Sequence, residues 1–290
     1  MFDNIFAAIE KWMRELLTGM VESNMSTMFT DVNEKTSEIA AQVGRTPQNW
    51  NSSVFSMIQN LSESVVVPIA GIIITLVLCY ELISMLTERN NLHDVDTWMF
   101  FKYFVKAWVA IYLVSNTFTI TMAVFDVGQS VVNSASGIIN GETAIDVSSL
   151  SMQMQAAMAT MEIGELVVLA LETFLVSFCM KIMSVVITVI VYGRMIEIYL
   201  YTSLAPIPFA TMSNREWGHV GTNYFRGLFA LAFQAFLMMV CVATYAALIS
   251  SVRISSNMHS ALIGVAAYTV ILCFSLMKTG SLSKQIFGSH

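Results

Sequence analysis

Three ionisable residues stand inside otherwise apolar stretches of this sequence: Glu81, Glu172 and Lys181. A charge at mid-bilayer costs about 2.5–3.5 kcal/mol on insertion scales, so each calls for a partner, water or a protein interior. Glu165 and Glu172 share a helix face, and Lys181 points to roughly the opposite side. Pairing within one helix is therefore ruled out. Two readings follow for these groups. They line a polar passage, or they pair across helices or subunits, with snorkelling open to Glu81 near a span end. Gln234, also inside an apolar span, is expected to hydrogen-bond a neighbouring helix at about 0.6–2 kcal/mol. Lining a passage is its second reading.

Pro206 and Pro208 lie in the run Leu204-Ala-Pro-Ile-Pro-Phe209. Each removes a backbone donor, so the pair marks a hinge or constriction, or else a helix terminus at the interface. A polar turn, Asn214 to Glu216, and an interfacial aromatic, Trp217, follow. Other chemistries are missing from the chain. It holds no phosphate-binding G-x-x-x-x-G-K-[ST] loop, no H-E-x-x-H, no G-x-S-x-G and no C-x-x-C. No enzyme activity, cofactor or metal site is expected. Cys79, Cys179, Cys241 and Cys273 have no paired spacing and are expected to be inert buried thiols. His93, His219, His259 and His290 are expected to be isolated in loops. The 21 Met are scattered, which suits adaptable packing. Gly137 and Gly141 match G-x-x-x-G, but in a polar segment that favours a turn over a dimer seam.

The elements that carry these residues are set by composition. Of the 290 residues, 56% are hydrophobic and 12% charged, with a mean hydropathy of +0.67. Soluble domains carry about 25% charged residues, so the chain is predicted to be a polytopic, all-α membrane protein. Its net charge of −6 excludes a nucleic-acid domain built on a basic patch. Apolar spans are predicted at 65–86, 104–125, 228–249 and 261–277. A longer stretch, 163–212, is either one bent or re-entrant helix or a hairpin. Five crossings are preferred over six, giving a transmembrane domain over 65–290.

Residues 1–64 form a separate helical region. Phe2, Ile5, Phe6, Ile9, Trp12, Met13, Leu16, Leu17 and Met20 fall on one helical stripe. Glu10/Arg14 and Lys11/Glu15 pair on the other face. Such a helix lies in the interface, packs on a partner, or packs on this protein's own spans. Gly44-Arg45-Thr46-Pro47 is predicted to break the helix that follows. No cleavable signal is expected. Orientation comes from basic residues near span ends. No Lys or Arg occurs between Lys106 and Lys181, which makes 126–162 the expected outside loop. Arg89, Lys102, Lys106, Arg194, Arg215, Arg226, Lys278 and Lys284 then lie inside, with the N-terminal region and Arg253 outside.

One stretch carries a resemblance. Residues 191–210 read Val-Tyr-Gly-Arg-Met-Ile-Glu-Ile-Tyr-Leu-Tyr-Thr-Ser-Leu-Ala-Pro-Ile-Pro-Phe-Ala. After a polar turn, 221–236 read Gly-Thr-Asn-Tyr-Phe-Arg-Gly-Leu-Phe-Ala-Leu-Ala-Phe-Gln-Ala-Phe. With Arg194, Glu197, Pro206, Pro208, Arg226 and Gln234, this resembles the TrbL family, the polytopic inner-channel subunit of type IV secretion and conjugation machines. It looks closest to the versions on mobile elements of Gram-positive bacteria. Ala235 stands where many relatives have Gly. The resemblance implies a non-enzymatic channel subunit of the cell (inner or plasma) membrane, present in several copies. Its implied partners are scaffold subunits and cytoplasmic ATPases. Relaxase-bound single-stranded DNA or protein would be in transit. Arg194, Arg215 and Arg226 either guide phosphates or set topology. The competing reading is an ion-coupled small-molecule transporter using Glu81, Glu172 and Lys181. A third is a structural anchor for an unrelated complex.

Overall fold

A computed structural model describes residues 2–87, 97–139, 147–251 and 258–289. Arg89, His93, residues 140–146 with Gly141, Arg253 and His290 lie outside the described residues. Every described element is helical: α1 (Phe2–Val43), α2 (Pro47–Trp50), α3 (Ser52–Leu61), a π-helical turn (Ser62–Val66), α4 (Val67–Thr87), α5 (Thr97–Ser115), α6 (Thr117–Ile139), α7 (Val147–Met158), α8 (Ile163–Ser203), α9 (Pro206–Thr211), α10 (Gly218–Ser250) and α11 (Met258–Ile286). Among the described residues, five helical runs are long and apolar enough to cross a membrane: Ser52–Thr87, Thr97–Ser115, Ile163–Ser203, Gly218–Ser250 and Met258–Ile286. The chain is an all-α multi-pass membrane protein.

Two boundaries differ from the sequence expectation. The second span is 97–115, not 104–125, because the helix is interrupted at Asn116. There the Asn116 amide Nδ2 donates to Tyr112 O at 2.9 Å, and Thr117 Oγ1 donates to Leu113 O at 2.8 Å. Such side-chain bonds compete with the regular ladder and bend a helix. The expected loop 126–162 holds helical turns on both sides of 140–146: α6 runs on to Ile139, so Gly137 is helical, and α7 covers Val147–Met158. The 163–212 stretch is not a hairpin but one long helix that turns directly before its proline pair. α8 runs 41 residues unbroken, and the chain turns at Leu204–Ala205. Pro206 then occupies the first turn of α9, where no helical N–H is missing. Gly44-Arg45 does end α1, and the Thr46 hydroxyl accepts from Asn49 N–H at 3.3 Å to cap α2.

The chain forms two compact units. The first comprises residues 1–43, 134–191 and 238–278; the second comprises 44–133, 192–237 and 279–290. Residues 1–64 are thus distributed over both. In the first unit, α1 buries Val21, Met25, Met28, Val32, Ile39 and Val43, a 3–4 spacing along one face. Ser177 Oγ donates to Asn24 O at 3.2 Å, and Lys35 Nζ donates to Thr188 Oγ1 at 3.3 Å, so this half of α1 packs along α8. The stripe expected over residues 2–20 behaves otherwise. Ile5, Phe6, Ile9, Trp12, Met13, Leu16 and Met20 are all exposed.

The second unit is built around α10. Val124 and Phe125 of α6 meet Met195 and Ile198 of α8 on Leu228, Leu231 and Ala232 of α10. Ala70 and Ile74 of α4 and Ala110 and Val114 of α5 pack with Phe209 of α9 and Tyr224 of α10. Tyr201 and Tyr224 stack with centroids 4.4 Å apart, and Tyr224 Oη donates to Tyr201 O at 2.7 Å. Tyr199 reaches out of α8 to donate to Pro47 O at 2.6 Å, which ties α2 to the unit. Met25, Met28, Met154, Met158, Met195 and Met238 are among the largest fully buried side chains, so methionine does serve as packing material. The thiols are a correction. Only Cys273 is buried, whereas Cys79 and Cys179 are exposed.

Candidate functional site

The polar residues of the second unit gather in two places. At the end of α4, Glu81 accepts from Lys106 Nζ of α5 at 2.5 Å and from Asn214 Nδ2 at 3.4 Å. Asn214 is held there by the turn that precedes α10: its Oδ1 accepts from the N–H groups of Glu216, at 2.7 Å, and Trp217, at 3.0 Å. Tyr80 donates to Glu216 at 3.1 Å and stacks on Trp217, with centroids 5.8 Å apart. An open cavity of about 140 Å³ lies here, lined by Tyr80, Glu81, Ser84, Met85, Asn214, Arg215 and Glu216. Lys106 came twenty-five residues after Glu81, so no helical spacing linked them.

The second place is internal. Arg194 of α8 is 7% exposed, and its guanidinium makes one long hydrogen bond, Nη2 to Leu231 O at 3.4 Å. Its Nε has no partner among the described residues. Glu197, one turn on, pairs with Lys284 of α11 at 3.0 Å, and its charge also acts on the guanidinium. Gln234 is 6% exposed; its Nε2 donates to Thr279 Oγ1 at 3.4 Å while its Oε1 stays unpaired. One turn away, Ser283 Oγ donates to Ala230 O at 2.6 Å. Residues 230–234 of α10 thus meet polar groups from both α8 and α11. The helix-to-helix hydrogen bond expected of Gln234 is present, and half of its amide remains unsatisfied. Arg226 is exposed on α10.

In the first unit, Glu172 of α8 pairs with His259 Nδ1 of α11. His259 is therefore neither isolated nor in a loop, and His219 also lies in a helix, α10. The two partners stand 87 positions apart, beyond any local pattern. Lys181 is exposed and makes no ion pair among the described residues. It does not join Glu172. Tyr245 and Thr269 share a hydroxyl bond of 2.8 Å beside a water-sized cavity of about 20 Å³. Among the described residues, no group of three or more His, Cys, Asp or Glu side chains is placed to hold a metal ion.

The Glu172–His259 pair gives a direct prediction. His259→Ala leaves a half-buried carboxylate without its cation or donor and should lower stability by about 1–2 kcal/mol. Thermal unfolding in detergent checks this, and a double variant with Glu172→Leu should recover most of the loss.

The family described as "TrbL/VirB6 plasmid conjugal transfer like protein" matches residues 32–206, more than half of the chain. The match includes Glu81, Glu172, Lys181, Arg194, Glu197 and Pro206, and it ends before Arg226 and Gln234. No curated protein and no solved structure matches the chain.

Proposed function

The chain belongs to the TrbL/VirB6 plasmid conjugal transfer-like family, and from that premise we propose that it is a non-enzymatic channel subunit. As a family member with five candidate spans, it is a multi-pass membrane component of a conjugal transfer system. The finer reading is that several copies assemble in the cell membrane with scaffold subunits and cytoplasmic ATPases. Together they pass relaxase-bound single-stranded DNA, or protein, across the bilayer. The family match carries this reading. The sequence offers no nucleotide-binding loop of its own, so the driving energy comes from partner subunits.

Polar groups held at span depth fit a protein that works in an assembly. Among the described residues, Arg194 and Gln234 keep unpaired buried atoms, and Lys181 makes no ion pair. The transporter alternative would use Glu81, Glu172 and Lys181; Glu172 pairs with His259 within the first unit and Glu81 with Lys106 within the second. The experiment is deletion of the gene in a donor cell. Transfer frequency should collapse with growth unchanged, and plasmid-borne wild type should restore it. Unaltered transfer would overturn the proposal.

A further inference from the structure

The first unit holds a polar helix at bilayer depth. Its exposed α8 face runs from Val167 through Leu171, Phe174 and Phe178 to Val185 and Val189. At about 1.5 Å per residue this face is about 33 Å long, which a bilayer core of about 30 Å covers at a tilt of about 20°. Lipid therefore accounts for it. By composition α1 is not one of the candidate spans, yet it lies beside the same stretch and runs parallel to it. The Asn24–Ser177 and Lys35–Thr188 contacts each span 153 positions. In that register residues 14–36 of α1 stand opposite residues 167–189 of α8 and share their depth. Sliding the bilayer by one helical turn, about 5.4 Å, in either direction keeps Thr27 and Thr30 within it. This part of α1 belongs to the bundle: Asp31, Val32 and Lys35 line one small cavity with Met180 of α8, Tyr245 of α10 and Thr269 of α11.

At this depth the outer face of α1 does not suit lipid. From Val21 to Val43 its large apolar side chains are all buried. Exposed instead are Ser23, Thr27, Thr30, Glu34 and Ser37, whose 3–4 spacing makes one stripe. A hydroxyl can return its proton to its own helix, as Thr27 does to Ser23 O at 2.8 Å. The Glu34 carboxylate has no proton to return and makes no ion pair among the described residues. Bare in hydrocarbon, it would be costly. Lys181 is the second sign. It shares an α8 ridge with Ser177, Ser184 and Thr188, so it borders α1 rather than the middle of the lipid face. An exposed lysine within the span and an exposed glutamate on the adjacent helix call for the same solvent. A second copy is a poor cover for this stripe. The stripe exposes no base from Ser23 to Ser37, and two copies meeting on it at one depth would set Glu34 against Glu34. Water serves both charges and every hydroxyl.

We propose that the Ser23–Ser37 face of α1, with Lys181 at its edge, is the wall of a water-filled passage through the bilayer. The inference rests on the channel reading above and names the surface along which the passage runs.

Introduced thiols test the wall in native membranes, one at a time, in a chain carrying Cys79→Ser and Cys179→Ser. Cys241 and Cys273, half-buried and buried, stay in every chain as a common background. A charged methanethiosulfonate reacts with thiolates, which form in water and not in lipid or a dry contact. Ser23→Cys, Thr27→Cys, Thr30→Cys and Lys181→Cys should react about tenfold or more faster than Met25→Cys and Met28→Cys on the buried side of α1. Native Cys179, exposed on α8 at the same depth and kept in a chain with Cys79→Ser alone, should stay as slow as those two. Wall thiols no faster than Cys179 overturn the proposal, because lipid or a partner then covers the face. Equal reaction at Met25→Cys and Thr27→Cys overturns it too, because α1 is then not docked. Donor cells with Thr30→Cys, or with Ser23→Cys where the first fails to accumulate, are mated after treatment. The adduct should lower transfer by about tenfold against the same donors untreated. Unchanged transfer would leave a wet face off the path and overturn the passage. If deletion of the gene stops transfer while the wall thiols stay slow, the channel reading stands and this wall falls. If deletion leaves transfer unaltered, the channel reading falls with it.

Discussion

Arg194→Met is expected to leave the fold at least as stable as the wild type while conjugal transfer falls by about tenfold or more, a factor worth about 1.4 kcal/mol at the step it serves. The stability half rests on how poorly the guanidinium is housed. It is 7% exposed, holds one hydrogen bond at 3.4 Å, and leaves Nε without a partner among the described residues. Its nearest carboxylate in sequence, Glu197, pairs with Lys284. Removing such a charge from water costs several kcal/mol. Replacing it with a well-packed apolar side chain is often neutral or stabilising by about 1–4 kcal/mol. Methionine fills similar space with a flexible thioether. The transfer half rests on the same imbalance, because an ionisable group kept inside a span-length helix with a buried donor left over points to a role outside folding. Thermal unfolding in detergent and mating frequency are read on the same variant. A clear drop in unfolding temperature would make Arg194 a structural strut and defeat the prediction.

Gly128→Ala should destabilise the second unit by about 1–3 kcal/mol, the usual cost of overpacking. A Cβ built on Gly128 of α6 meets the Ala232 carbonyl oxygen at 2.8 Å and the Ala232 Cβ at 3.1 Å. The obstacle is backbone of α10, which cannot rotate away as a side chain can. Small residues let membrane helices approach this closely, and even one methyl group forces them apart. Gly264→Ala in α11 is the contrast, since nothing lies within 4 Å of its Cβ. There the gain in helix propensity should stabilise by about 0.5–1 kcal/mol. Equal responses at the two sites would show that close packing of α6 on α10 is not what holds the unit.

Periodicity and hydropathy carried the architecture a long way. The number of long apolar helices, the break at Gly44-Arg45 and the packing use of methionine were all legible, because each depends on local chemistry. The start of the second span was not. Lys102 and Lys106 disguised the beginning of α5, although Lys102 lies over the Trp98 ring at 5.7 Å and Lys106 reaches Glu81. The burial pattern of α1 was also hidden, since a stripe shows which residues share a face and not what covers it. Partnerships such as Glu172 with His259 and Gln234 with Thr279 lie in helix-to-helix geometry, which one sequence does not encode by spacing. His259 looked idle for that reason alone.

The π-helical turn at Ser62–Val66 separates two properties of the first span that usually travel together. The Val67 N–H bonds to Ser62 O, five residues back, so the turn takes up extra chain without lengthening the span to match. Phe55 and Ile58, before the turn, contact Phe118 and Tyr199, while Ala70 and Ile74, after it, face α5 and α9. In a regular helix these two groups would be out of phase by about one residue, roughly 100° of rotation. Reach across the bilayer and angular phase about the helix axis are therefore set independently in this span, and a one-residue gap here would preserve the first while scrambling the second.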